Sequence, residues 1–195
     1  NEFISFAEEV SKLALKASGK LENILKLEMK NKKNVNDNLV DLVSKIGEKI
    51  TLRRAKFFDN KNGSNFHYVH NAVEKNIGKI ISVVKLSNNN KEMNQEIGTK
   101  LAMHIAASNP LSVDKNDLDK QILDKELEII KAELSNSGKK GDMIEKISKG
   151  KLNKFISDNT LLNQIWIMDP KKKVSDILKS IKVLSFIRYK VGEGV

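Results

Sequence analysis

The chain of 195 residues contains no cysteine, only two prolines and one tryptophan, and 5% aromatic residues overall. The lack of cysteine excludes disulfides, thiolate nucleophiles and zinc–cysteine sites. No apolar run approaches the roughly 18 residues that a membrane-spanning helix needs, and no signal peptide is recognisable. A glycine-rich dinucleotide fingerprint and a Walker phosphate loop are both missing. The sequence therefore predicts a protein that is not an enzyme, needs no cofactor and does not enter a membrane.

Metal binding is disfavoured by the histidines. The chain has three, and His67 and His70 lie three residues apart in a segment that reads as a strand. Side chains at that spacing point to opposite faces of a strand and cannot chelate one ion together. We therefore predict no metal site.

The formal net charge is +10, from 35 lysine and arginine residues against 25 aspartate and glutamate residues. Such a chain favours an acidic partner. Two other interpretations stay open: a basic RNA-binding module, or lysines that only solvate the helices. The low aromatic content and the absence of a known RNA-binding motif weigh against the RNA-binding module.

Hydrophobic spacing predicts two helices early in the chain, the second capped near Asn36 and Asp37, with Val40 and Ile46 among its buried residues. Strands are then predicted at 51–59, 65–69 and 79–86. The first two would be joined by a hairpin turn at Asn62-Gly63.

A partial repeat of this order follows a polar stretch at 87–91. A helix is predicted at 96–108, and two helical patterns at 118–134 and 141–156 indicate an antiparallel helical hairpin. Strands are predicted around 165–168 and 182–191. The expected fold is thus α+β, with two similar subdomains at 1–90 and 91–195. Each would carry helices on a small antiparallel sheet, and a hairpin at about 117–156 would be inserted in the second.

Four separated segments resemble the bacterial elongation factor Ts family, and they occur in the family's order. They are residues 96–110 (EIGTKLAMHIAASNP), 144–155 (IEKISKGKLNKF), 164–170 (QIWIMDP) and 186–194 (FIRYKVGEG). The resemblance covers essentially the whole chain but only the later part of the family's full length. The sequence departs from the family pattern at Ile165, where the family has proline, and at Trp166, where the family has phenylalanine.

The resemblance implies a cytoplasmic translation elongation factor that acts as a guanine nucleotide exchange factor. Its partner would be the GTPase elongation factor Tu, whose magnesium and nucleotide site it would disturb so that GDP leaves. The partner-binding residues implied by the matched motifs are His104, Ile167 and Met168. On pattern alone, however, a histidine on an apolar helix face is usually a core residue, and 165–168 reads as a core strand. We expect His104 to be exposed and to belong to the interface.

The family's Thr-Asp-Phe element, which is wedged into the GTPase near its magnesium, would lie just before Asn1. The chain is therefore expected to be a fragment that lacks this wedge and the family's N-terminal domain. The helical hairpin is expected either to mediate self-association or only to extend the surface.

Overall fold

The computed structural model describes residues 2–87, 91–138 and 141–193, and the side chains of 91–94 are outside this description. The fold is mixed helix and strand, which confirms the α+β prediction. Within the described residues the helices are α1 Glu2–Lys16, α2 Leu21–Lys26, α3 Val35–Ile46, α4 Lys91–Ser108, α5 Lys120–Asn136, α6 Asp142–Asn159 and α7 Val174–Leu178, and the strands are β1 Gly63–Glu74, β2 Ile77–Ser87 and β3 Val183–Lys190.

Two compact units account for the contacts, Asn1–Asp59 with Ala72–Ile77 and Asn60–Asn71 with Gly78–Val195. These units are defined by contacts in space, whereas the predicted subdomains at 1–90 and 91–195 are defined by the apparent repeat of elements along the chain. That division stays a prediction.

The first unit packs α1, α2 and α3 around a small apolar core of Val10, Ile24, Met29 and Val35. Helix α3 begins one residue after Asn34, whose side chain accepts a hydrogen bond from the Asp37 backbone N–H at 2.8 Å. This cap lies before the predicted Asn36 and Asp37, and the buried face is different as well. Val35 and Leu42 are buried, whereas Val40 and Ile46 are exposed. The predicted helix is confirmed, whereas the predicted burial of Val40 and Ile46 is wrong.

The second unit is built around a three-stranded antiparallel sheet of order β1-β2-β3. Strand β3 pairs with β2 in the register Val83↔Ile187, so the last strand in the sequence completes the sheet begun by the β1–β2 hairpin. In the described part of the chain this is the one sheet, and it takes strands from both predicted halves. One side chain of the sheet, Ser82, is buried and donates to the Ala102 carbonyl of α4. Helix α4 therefore packs directly on the sheet.

Two predicted strands are wrong. Residues 51–59 form no strand, so Asn62-Gly63 does not join two strands, and the hairpin turn lies at 75–76 instead. Asn76 in this turn has a positive φ of 66°. The segment 165–168 forms a turn, with a single bridge between Ile165 and Lys173. The strand predicted at 182–191 is confirmed as β3.

The helical hairpin is confirmed as α5 and α6, which pack against each other. Ile130 and Leu134 of α5 and Ile156 of α6 are buried. Residues 139–140 of the predicted connection, and 88–90 of the predicted linker, lie outside the described residues. None of the helices described here is long and apolar enough to pass through a bilayer.

Candidate functional site

The candidate site is a tight turn at residues 165–173, on the surface of the second unit. Its ends meet in the bridge between Ile165 and Lys173, and the Trp166 backbone N–H donates to the Lys172 carbonyl at 2.8 Å. Inside the turn the Asp169 N–H donates to the Trp166 carbonyl at 3.1 Å. The Asp169 carboxylate accepts from the Lys171 N–H and pairs with the Lys172 ammonium, both at 3.1 Å. These bonds lower the pKa of Asp169, the backbone bond first, and hold the turn in one shape.

Some apolar side chains of this turn are buried in the core, and others are exposed to solvent. Trp166 is buried in the main apolar core, whereas Ile165, Ile167 and Met168 are 62%, 43% and 44% exposed. Three large apolar side chains exposed within four consecutive residues form a local patch, and such patches mark contact sites more often than scattered apolar residues do. We call Ile165, Ile167 and Met168 the apolar turn.

His104 lies beneath the apolar turn and is fully buried. It is presented by α4, in which Leu101 and Ile105 are also fully buried. The helix ends at Ser108, because Asn109 takes a positive φ of 46° and Pro110 cannot continue the helix. The imidazole ring stacks on Trp166, with ring centroids 5.2 Å apart and an interplanar angle of 23°.

Both ring nitrogens of His104 lie against the segment that carries the apolar turn. Nε2 is 2.9 Å from Oε1 of Gln164, and Nδ1 is 3.4 Å from the backbone nitrogen of Ile167. Burial lowers the pKa of His104 below its ordinary value, and the hydrogen bond to Gln164 opposes that shift. The ring is therefore neutral at physiological pH.

The structure brings the three predicted site residues together, but in different roles. Ile167 and Met168 are exposed, as an interface requires, while His104 is buried and the expectation of an exposed histidine is wrong. His104 contacts the turn from the core side. Participation of all three in partner binding stays a prediction.

Sequence reasoning missed Gln164. It stands at the start of the matched QIWIMDP segment, and it is buried. A glutamine is rarely buried unless its amide is hydrogen-bonded, so a buried glutamine points to a specific structural role. The sequence does not show that Gln164 is buried, and it therefore contained no signal for this role.

Within residues 2–87, 91–138 and 141–193, no group of three or more histidine, aspartate or glutamate side chains is placed to hold a metal ion. His70 Nδ1 lies 3.2 Å from the Tyr68 hydroxyl. The exposed part of the candidate site is an apolar surface bordered by exposed lysines at 171–173.

Comparison with known proteins gives a consistent result. Residues 1–193 match the sequence profile of the family described as elongation factor TS. The chain is 31% identical over 204 aligned residues to elongation factor Ts of Rickettsia massiliae (strain Mtu5), and 32% identical to that of Rickettsia prowazekii (strain Madrid E). Each alignment covers 100% of this chain and 66% of the relative.

Proposed function

Because this chain belongs to the elongation factor Ts family, we propose that it binds the GTPase elongation factor Tu and promotes the release of GDP from it. The observation that carries the proposal is the apolar turn, in which Ile167 and Met168 are exposed. These are the positions that the family resemblance implies for contact with the partner. This chain acts as a binding factor and not as an enzyme. We also propose a cytoplasmic location, as the family resemblance implies.

Exchange follows from linkage between two binding events. A factor that binds the nucleotide-free GTPase more tightly than the GDP-bound form weakens GDP binding by the same factor. Weakening the bound magnesium achieves this, because the ion offsets much of the charge of the diphosphate. The chain therefore needs no nucleotide site of its own.

The apolar turn is suited to supply affinity. Its backbone is held by its own hydrogen bonds and by the buried Trp166, so little conformational entropy is lost when its side chains enter a partner pocket. Large side chains presented on a rigid support are typical of binding hot spots.

The experiment is a binding measurement with purified elongation factor Tu, with and without GDP. We expect the double substitution Ile167→Ala with Met168→Ala to weaken binding by about tenfold or more, since hot-spot truncation costs about 2 kcal/mol or more. A matched control is Ile129→Ala with Met143→Ala on the hairpin, which removes an isoleucine and a methionine that are 46% and 57% exposed. The control should bind as the original chain does, and equal affinities of the two variants would contradict the proposal.

Exchange itself is measured by stopped-flow release of a fluorescent GDP analogue from elongation factor Tu. The resemblance implies that the Thr-Asp-Phe element acts at the magnesium site, so the comparison is between residues 1–195 and a version extended through that element. We expect residues 1–195 alone to accelerate release poorly or not at all, and the extended version to accelerate it in a way that the Ile167/Met168 substitutions weaken in proportion to the lost affinity. Equal rates for the two versions would contradict the role of that element, and no acceleration by the extended version would disprove the exchange activity while leaving the interaction standing.

The α5–α6 hairpin exposes further apolar side chains, among them Ile122, Ile129 and Met143. Self-association through this surface stays a prediction, beside the alternative that the hairpin only extends the molecule. Sedimentation equilibrium decides between them: a dimer that dissociates in the Ile129/Met143 variant supports self-association, and a monomer at all concentrations contradicts it.

A further inference from the structure

The carboxamide of Gln164 is held in one orientation. Its Nε2 donates to the Asp158 carbonyl at 2.8 Å and to the Ser108 carbonyl at 3.3 Å. These carbonyls lie in the last turns of α6 and α4, where helix carbonyls lack partners within their own helix. The reverse orientation would bring Oε1 against two other oxygens. Oε1 must therefore face away from both helix ends.

This orientation fixes the proton on His104. Oε1 of Gln164, 2.9 Å from Nε2 of His104, only accepts hydrogen bonds. Nε2 must therefore carry the proton of the neutral ring, and Nδ1 is left as an acceptor. The backbone N–H of Ile167 donates to Nδ1, at 3.4 Å. The other tautomer would place two N–H groups against each other.

The backbone of Gln164 is anchored as well as its side chain. Its N–H donates to the Thr160 carbonyl at 3.1 Å, and its carbonyl accepts from the Val174 N–H at 3.0 Å. Gln164 is itself buried, and it lies three residues before Ile167. Gln164, which is fixed in the core, thus sets the position of the Ile167 backbone N–H at the surface through the imidazole ring of His104.

We infer that Gln164 is a positioning residue for partner binding: it selects the His104 tautomer whose Nδ1 accepts from Ile167, and this bond holds Ile167 and Met168 in their exposed arrangement. The inference rests on the proposed function, because it concerns how the same two side chains are presented. His104 in this role does not touch the partner.

Gln164→Met tests the inference, because methionine has a similar length and lacks the accepting oxygen. The affinity for elongation factor Tu should fall by about three- to tenfold, the range expected when one neutral hydrogen bond is lost. Gln121→Met, at an exposed glutamine of α5, is the control for the substitution chemistry and should bind as the original chain does. If Gln164→Met binds as tightly as this control, the positioning role is overturned.

Two further measurements need no partner, and the first of them needs no variant. Nitrogen-15 NMR of the histidine ring should show His104 protonated at Nε2 and unprotonated at Nδ1. Hydrogen exchange in Gln164→Met should become faster at the Ile167 amide, but not at the Asp169 amide, which donates to a backbone carbonyl. A proton on Nδ1 in the original chain overturns the inference even if the variant fails to fold.

The two proposals fail in different ways. If the original chain does not bind elongation factor Tu, the proposed function fails, whatever the NMR shows. If the original chain binds, but the ring is protonated at Nδ1 or Gln164→Met keeps full affinity, only the positioning role fails.

Discussion

The phenyl ring of Phe66 in β1 lies directly against Gly98 in α4. A Cβ atom built on Gly98 would stand 2.2 Å from Cγ of Phe66, well inside van der Waals contact. Both residues are buried. The glycine therefore lets a helix approach the sheet closely enough for an aromatic ring to fill the space of the missing side chain.

We expect Gly98→Ala to lower the free energy of unfolding by about 1–3 kcal/mol, the usual range for an overpacked core. Gly150→Ala in α6 is the matched control, because a Cβ there would meet no atom of the described residues within 4 Å. Alanine has the better helix propensity, so Gly150→Ala should raise stability by roughly 0.5–1 kcal/mol. Urea unfolding measures both, and equal effects at the two positions would contradict the close contact.

Two buried serines should respond in opposite ways to alanine. Among the described residues, Ser148 Oγ in α6 has no hydrogen-bond partner, whereas Ser82 Oγ donates to the Ala102 carbonyl. Ser148→Ala should be neutral or stabilising, since it removes an unsatisfied buried hydroxyl. Ser82→Ala should cost about 1 kcal/mol. Thermal melts distinguish the two, and a larger loss from Ser148→Ala would show that its hydroxyl is satisfied in solution.

Stability should fall as the pH is lowered from about 7 to about 5, in part through His104. Burial lowers the pKa of this ring in the folded state, whereas the unfolded chain has the ordinary value of about 6.5. Below that pH the unfolded state binds the proton first, so the folded state loses stability until the pH passes the folded pKa. Above about pH 7 both states are neutral and the contribution is constant.

The check for His104 is denaturant unfolding at several pH values, compared with His104→Gln. The variant should be less stable at pH 7 and should lose less stability on acidification. Glu2, Glu96 and Asp169, whose pKa values are lowered, titrate below this window. Parallel pH profiles for the two chains would exclude His104 as a contributor.

Nucleic acid should bind weakly and without sequence preference. The net charge of +10 attracts phosphates, and such contacts release counterions. Affinity for a labelled RNA should therefore collapse between about 50 mM and about 200 mM salt, as measured by fluorescence anisotropy. Sequence-selective RNA binding that persists at physiological salt would favour the RNA-binding module instead.

Local patterns determined much of the secondary structure. Helix α4 and the α5–α6 hairpin follow from apolar residues repeated every three to four positions, a signal contained in each segment itself. Strand β3 follows from a run rich in apolar and β-branched residues. The four matched motifs also sufficed to identify the family.

What the sequence alone did not decide was how each segment is used. The segments 51–59 and 165–168 have strand-like composition, yet neither pairs in a sheet, because pairing needs a free neighbouring edge in register. In the same way, the apolar spacing of α3 includes Val40 and Ile46, but packing against α1 and α2 buries Val35 and Leu42 and leaves those two side chains exposed.

His104 shows the distinction most clearly. The sequence placed it on the apolar face of a helix and in a partner-binding motif, and both statements agree with an exposed or a buried ring. Its burial, its tautomer and its bond to Ile167 depend on Gln164 and Trp166, which lie some sixty residues away in the chain. Helix period is a property of neighbouring residues, whereas burial and hydrogen-bond partners are properties of whichever segments meet in space, and only the tertiary structure decided those.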